Sequence, residues 1–190
     1  MTAEQLDVEM GVVHQALLRK QCLESLRTFL EYAWSRVELD AKFVPNWHLD
    51  VLCEVFEAVT RGELKREAIT APAEPAPTTM KSLLVSVFWP AWEWATNPAL
   101  SYLTASYGSH LTVRDNLRVR DLVLSPWYQA LFGPAPRRIG LTFTSDQNAK
   151  ELFKTTAGGW RFATSVGGSG TGEHPDRVII DDPLTAEQAR

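Results

Sequence analysis

Arg177-Val178-Ile179-Ile180-Asp181-Asp182-Pro183 runs three aliphatic residues straight into two adjacent acids. Such a run describes a buried strand whose C-terminal end delivers carboxylates into a crevice, the place where open α/β sheets bind ligands. It has the shape of a Walker B element. In a nucleoside triphosphatase, Asp181 would hold Mg²⁺ and Asp182 would orient or deprotonate the attacking water. Taken alone, the pattern also fits a strand followed by a solvated turn, so a second half is needed. Met80-Lys81-Ser82 supplies one. It follows a loop rich in proline and threonine, precedes the apolar run Leu83-Leu84-Val85-Ser86-Val87-Phe88, and has the Lys-Ser ending of a phosphate-binding loop that enters a helix.

Composition limits what can surround these residues. A chain of 190 residues with 45% hydrophobic content holds one sizeable core and a small helical appendage. The net charge of −4 lacks the basic excess of a surface that grips nucleic acid by phosphate neutralisation, so any such contact must be local or made elsewhere. Cys22 and Cys53 stand far apart without metal-ligand spacing and read as buried, reduced thiols, which suits a cytoplasmic setting. The first residues show no basic-then-apolar leader, and no apolar run approaches the roughly 20 residues that span a bilayer. A soluble protein without a membrane partner is expected.

The elements that must position the acids and the lysine follow from periodicity. Residues 2–38 predict one or two amphipathic helices, with Leu6, Met10, Val13 and Leu17 and then Cys22, Leu26, Leu30 and Trp34 on the apolar stripe. This stripe is either a prop against the main domain or a docking surface. Residues 46–62 predict another helix, closed by Gly62. Glu67-Ala68-Ile69-Thr70 is a candidate strand feeding the phosphate loop, whose three prolines exclude helix and central strand. A helix follows from Ser82, bent or ended near Pro90, with Trp89, Trp92 and Trp94 as a core cluster rather than a base-stacking platform. Strands are expected at 101–107, 139–144, 160–166 and 177–180, a helix at 110–124 stopped by Pro126, and a polar helix or loop up to Lys154. Strand and helix alternate, which argues for a three-layer α/β domain.

In four blocks the sequence resembles the N-terminal ATPase domain of the large terminase subunit of tailed bacteriophages. These are Asn46-Trp47-His48-Leu49; Thr79-Met80-Lys81-Ser82 through Trp92; Ala105-Ser106-Tyr107 with the arginine-bearing helix and Ser125-Pro126-Trp127-Tyr128; and Gly158-Gly159-Trp160-Arg161 through Asp181-Asp182-Pro183. The resemblance covers roughly residue 30 to the C-terminus, with residues 1–45 as a helical N-terminal segment and 46–190 as the ATPase domain. It implies a P-loop NTPase fold of the additional-strand type, MgATP as substrate with Mg²⁺ as cofactor, and a homo-oligomeric ring. Its partners would be double-stranded DNA, the small terminase subunit and the portal protein, in the host cytoplasm. By the resemblance, Lys81 reaches the β- and γ-phosphates, the Ser82 hydroxyl sits on Mg²⁺ beside Asp181, and the backbone of Pro77, Thr78, Thr79, Met80 and Lys81 cradles the phosphates. Asn46 and His48 border the adenine, unless His48 simply caps its helix. Arg114 or Arg120 supplies transition-state charge across the subunit interface, unless each is a solvated helix charge.

The chain departs from that pattern in two places. No glycine occurs from Ala68 to Ser82, where such loops commonly use one for a left-handed turn or close approach to phosphate, and Ala73-Glu74-Pro75-Ala76 lengthens the loop and adds an acid. The sequence also stops soon after the acids, which reads as a fragment without the coupling strand or the nuclease domain of the family. Two other classes fit these departures. One is a non-catalytic remnant kept for assembly; the other is a different P-loop motor, such as a helicase.

Overall fold

The computed structural model describes residues 3–70, 80–133, 141–170 and 172–184. The chain opens with two helices, α1 (Ala3–Glu24) and α2 (Leu26–Val37). Ser25 divides them: its backbone is extended and its hydroxyl accepts from Thr28 N at 3.2 Å, an N-cap for α2. Leu26, Phe29, Leu30, Ala33 and Trp34 then form a buried stripe at helical spacing. They join the same core cluster as Phe88, Trp92 and Tyr128, so α2 is built into the α/β body as a prop. Helix α3 (Trp47–Thr60) buries Leu49, Cys53 and Phe56 and gives way to Gly62 at φ +77°.

Three helical stretches run on from one another after the loop: α4 (Lys81–Leu83), a π-helical turn (Leu84–Phe88) and α5 (Trp89–Thr96). The expected irregularity at Pro90 is therefore a widened turn just ahead of the proline. The three tryptophans here are core, and each indole is satisfied: Trp89 donates to Thr60 Oγ1, Trp92 to Cys22 O and Trp94 to Leu100 O. Helix α6 (Ser109–Leu124) follows the first strand, and Pro126, expected only as a stop, also opens α7 (Pro126–Phe132). Ser125 extends its backbone and caps Tyr128 N, and proline suits the first helical position because no partner awaits its missing N–H there.

The strands are β1 (Tyr102–Ser106), β2 (Phe143–Asn148), β3 (Leu152–Thr155), β4 (Trp160–Ser165) and β5 (Arg177–Ile180). They form a mixed sheet in the order β2-β3-β4-β1-β5. β1 pairs in parallel with both β4 and β5, while β3 pairs antiparallel with β2 and β4. Four expectations need correction. β3 falls where polar helix or loop is expected, yet Phe153 and Thr155 turn inward in alternation, which is the period of a strand. β2 begins at Phe143, so the segment expected at 139–144 is shifted toward the C-terminus, and residues 139–140 lie outside the described residues. Glu67–Thr70 takes no place in the sheet; it follows the far wall of a groove of about 1250 Å³ whose near wall is β5.

The fourth correction concerns layers. Tyr102, Thr104, Phe153, Thr155, Arg161, Ala163 and Ile179 alternate onto one buried face, where the helices pack. The opposite face carries Leu103, Phe162, Val178 and Ile180, of which the last two are each 59% exposed. Among the described residues the helices cover one face, giving two layers instead of three.

Candidate functional site

The two acids leave β5 at the C-terminal edge of the sheet and are pinned there by β1. Asp181 N donates to Ala105 O at 3.0 Å, and Asp182 O accepts from Tyr107 N at 3.1 Å and from the Ser106 hydroxyl at 3.3 Å. Asp182 adopts a left-handed backbone at φ 45°, a conformation aspartate tolerates better than most residues, and the chain turns away at once. Lys81 arrives from the start of α4. Its Nζ lies 3.1 Å from Asp182 Oδ1 and 3.5 Å from Asp181 Oδ1, so an ammonium and two carboxylates about a hundred residues apart in sequence meet at one point. Ser82 follows Lys81 at the start of α4, lines the same cavity as Asp181 and helps to keep that carboxyl charged.

Electrostatics follow from burial. The Asp181 side chain is 15% exposed, and burial pushes its carboxyl above the ordinary range; Ser82 pulls it down, Asp182 pushes it up and Lys81 pulls it down. Burial opposes the charge of Lys81, but hydrogen bonding and attraction to Asp182 and Asp181 outweigh it and hold the ammonium above its usual value. Met80, just before Lys81, has φ 44°. A left-handed turn is therefore made immediately before Lys81 by a residue with a side chain, at a cost of about 1–2 kcal/mol.

A cavity of about 170 Å³ sits on the β1 side of the acids, lined among others by Ser82, Thr104, Ser106, Arg114, Arg161 and Asp181. Lys81 and both acids also border the groove beside β5. Of the two arginines expected to supply charge, Arg114 lines the cavity and is held by Asp115 at 2.9 Å, a bond that raises its pKa. Arg120 does not line it. Six residues further along α6, it points elsewhere and donates to Asn148 Oδ1 at 3.3 Å. Asn46 stands at the N-cap position of α3 without a side-chain cap bond, and His48 follows in the first turn with Nε2 buried and without a hydrogen-bond partner; neither lines the cavity or the groove. Pro77, Thr78 and Thr79 lie outside the described residues.

Sequence reasoning passes over Arg161. It is fully buried on the helix side of β4, donates from Nε to Asn116 Oδ1 and from Nη2 to Ser86 O, each at 2.6 Å, and burial lowers its pKa to about 10. Trp160 and Phe162 beside it look like the inward pair, which hides the true orientation of β4. The signal that could have found it is Pro90, four residues after Ser86 in a helix, since that carbonyl then needs a donor from elsewhere.

Comparison of the chain with protein-family models, with curated proteins and with solved structures gives no match. Among the described residues no helix is long and apolar enough to cross a membrane.

Proposed function

We propose that the chain is the ATPase domain of a phage terminase large subunit, which binds and hydrolyses MgATP to drive double-stranded DNA into a procapsid. One observation carries the reading: Lys81 Nζ lies within 3.5 Å of both Asp181 and Asp182, at the C-terminal edge of a mixed α/β sheet. A lysine and tandem acids brought together from such distance are what phosphoryl transfer needs, because its catalysis consists almost entirely of positioning and charge stabilisation.

The residues suit a magnesium nucleotide. Mg²⁺ takes one or two carboxylates plus phosphate oxygens and water, and Asp181 with Ser82 beside it at the cavity wall offers that donor set. Bound there, the ion would neutralise charge on the phosphates. Lys81 then exchanges its aspartate partners for phosphate oxygens, keeping an anionic environment throughout. Asp182, 60% exposed and turned outward by its left-handed backbone, is placed to orient a water or accept its proton. Arg114, at the cavity wall, is the better placed of the two arginines to meet charge developing on the transferred group. The additional-strand fold, the ring and the contacts with the small subunit and portal belong to the same proposal.

Nucleotide titration with and without Mg²⁺ tests it. The expected result is Mg²⁺-dependent ATP binding that Lys81→Met abolishes. The left-handed Met80 supports the rival reading, a remnant kept for assembly. Failure to bind ATP, unchanged after glycine is placed at Thr78, would decide for that remnant.

A further inference from the structure

Pro90 lies within the helical rod that begins at Lys81. A proline there has no amide hydrogen for the carbonyl four residues earlier, and its ring crowds that carbonyl. The carbonyl belongs to Ser86. The ladder is already stretched ahead of it, because Trp89 N donates five residues back to Leu84 O across the π turn. Ser86 is 4% exposed, so its carbonyl depends on a donor from the protein. Arg161 provides it at 2.6 Å while its Nε grips Asn116 of α6. The third nitrogen, Nη1, is buried without a hydrogen-bond partner, and the arginine forms part of the cavity wall with Ser82 and Asp181.

We propose that Arg161 is a positioning residue for Lys81 and Ser82. Its guanidinium replaces the amide hydrogen that Pro90 lacks, and so holds the π turn that sets how far Lys81 and Ser82 are rotated about the helix axis. A π turn carries one residue more than an α turn. An α-helix advances about 100° per residue at a Cα radius of about 2.3 Å, so losing the extra residue would swing the Cα atoms of Lys81 and Ser82 by about 3.5 Å. The side-chain tips move further. The contacts of Lys81 with Asp182 at 3.1 Å and with Asp181 at 3.5 Å do not survive a displacement of that size. Arginine suits the task because its planar fork reaches two acceptors on two helices at fixed geometry, whereas lysine presents one nitrogen.

The inference rests on the nucleotide reading for its affinity arm alone. Arg161→Met and Arg161→Lys are compared with the double variant Pro90→Ala/Arg161→Met by thermal unfolding, by MgATP titration and by crystal structures without nucleotide. Both single variants are expected to lose about 10–100-fold in MgATP affinity, the range for residues that orient a metal site without touching it. In the double variant the amide hydrogen restored at position 90 satisfies Ser86 O within a regular α turn. Thermal stability then recovers, MgATP affinity does not, and Lys81 Nζ stands beyond the roughly 4 Å limit of an ion pair from both aspartates. If stability and affinity recover together, or Lys81 stays on the aspartates, Arg161 is merely structural and the proposal is overturned. A double variant no more stable than Arg161→Met overturns it as well, because the amide would then not substitute for the guanidinium. Should the parent chain bind no MgATP, the nucleotide reading fails, and the nucleotide-free crystal structure of the double variant decides the positioning role. If the single variants do not fold, the double variant carries the comparison.

Discussion

Replacing Lys81 by methionine removes a cation that sits 3.5 Å from Asp181, with both side chains mostly buried at 21% and 15% exposure. At that separation the attraction amounts to about 5 kcal/mol for an effective dielectric of 20 and about 1 kcal/mol for water. The site lies between those limits, so the substitution should cost about 1–3 kcal/mol at neutral pH, or roughly 3–10 °C in Tm for a chain of this size. The pH dependence gives a sharper signature. Asp181 already has its pKa raised by burial, and Lys81 is one of the groups that pull it down. A carboxyl whose folded pKa exceeds its unfolded value favours the fold below the unfolded value and loses that contribution as pH rises through the folded one. Without Lys81 the folded value climbs further, so more stability is lost on going from acid to neutral conditions. Thermal unfolding of parent and Lys81→Met at intervals from pH 4 to pH 8 is the measurement. The two curves should lie closest at the acid end and separate as pH rises. Parallel curves, or equal midpoints at pH 7, would refute the claim that this ammonium and these carboxylates form one electrostatic unit.

The other expectations concern separate parts of the molecule. Asp182→Asn should leave MgATP affinity within a few-fold of the parent while phosphate release falls by about 10²–10⁴-fold, the usual contribution of a positioned base; turnover at the parent rate would remove Asp182 from the chemistry. Glu93 is 1% exposed and accepts from Tyr102 Oη at 2.8 Å, Thr60 Oγ1 at 2.9 Å and Arg177 Nη2 at 2.9 Å. Glu93→Ala leaves three donors without their acceptor and should lower stability by about 3–5 kcal/mol in urea unfolding. At Gly159 a methyl group would approach Pro98 O at 2.4 Å and Leu100 O at 2.5 Å, both backbone atoms. Gly159→Ala should therefore cost about 1–3 kcal/mol by the same assay, with the β3–β4 hairpin pushed off the segment before β1.

What the sequence discloses of this site is which residue types meet there, and what it hides is mostly orientation. The aliphatic run of β5, the lysine-serine pair and the acids are local patterns, and their meeting follows once strand and helix are placed in order. Arg161 is hidden for a physical reason. Alternation in Trp160-Arg161-Phe162-Ala163 is plain, but the larger apolar side chains lie on the half-exposed face while the arginine and alanine are buried. Period alone gives two faces and does not say which is inside. β3 is obscured by its length of four residues and its lysine, because a strand so short offers little alternation to read. The π turn needs two facts far apart in sequence, a proline at 90 and a donor at 161, and only the second determines that the widened turn can be held. Asn46, His48 and Arg120 enter through resemblance; neither the cavity nor the groove brings them to Lys81 and the acids.

Among the described residues β5 is a border strand of the sheet, paired with β1 alone, and this has a practical outcome for anyone handling this chain. Ladder bonds to β1 use one side of the strand, so the main-chain groups of alternate residues look outward, next to Val178 and Ile180. Such a border is a ready template for another polypeptide, and concentrated samples would be drawn toward strand-to-strand self-association. The acids and Pro183 at its end act as gatekeepers, by charge repulsion and by the lack of an N–H to extend the ladder. Exchanging Val178 for lysine should suppress concentration-dependent light scattering while leaving the opposite, helix-packed face of the strand untouched.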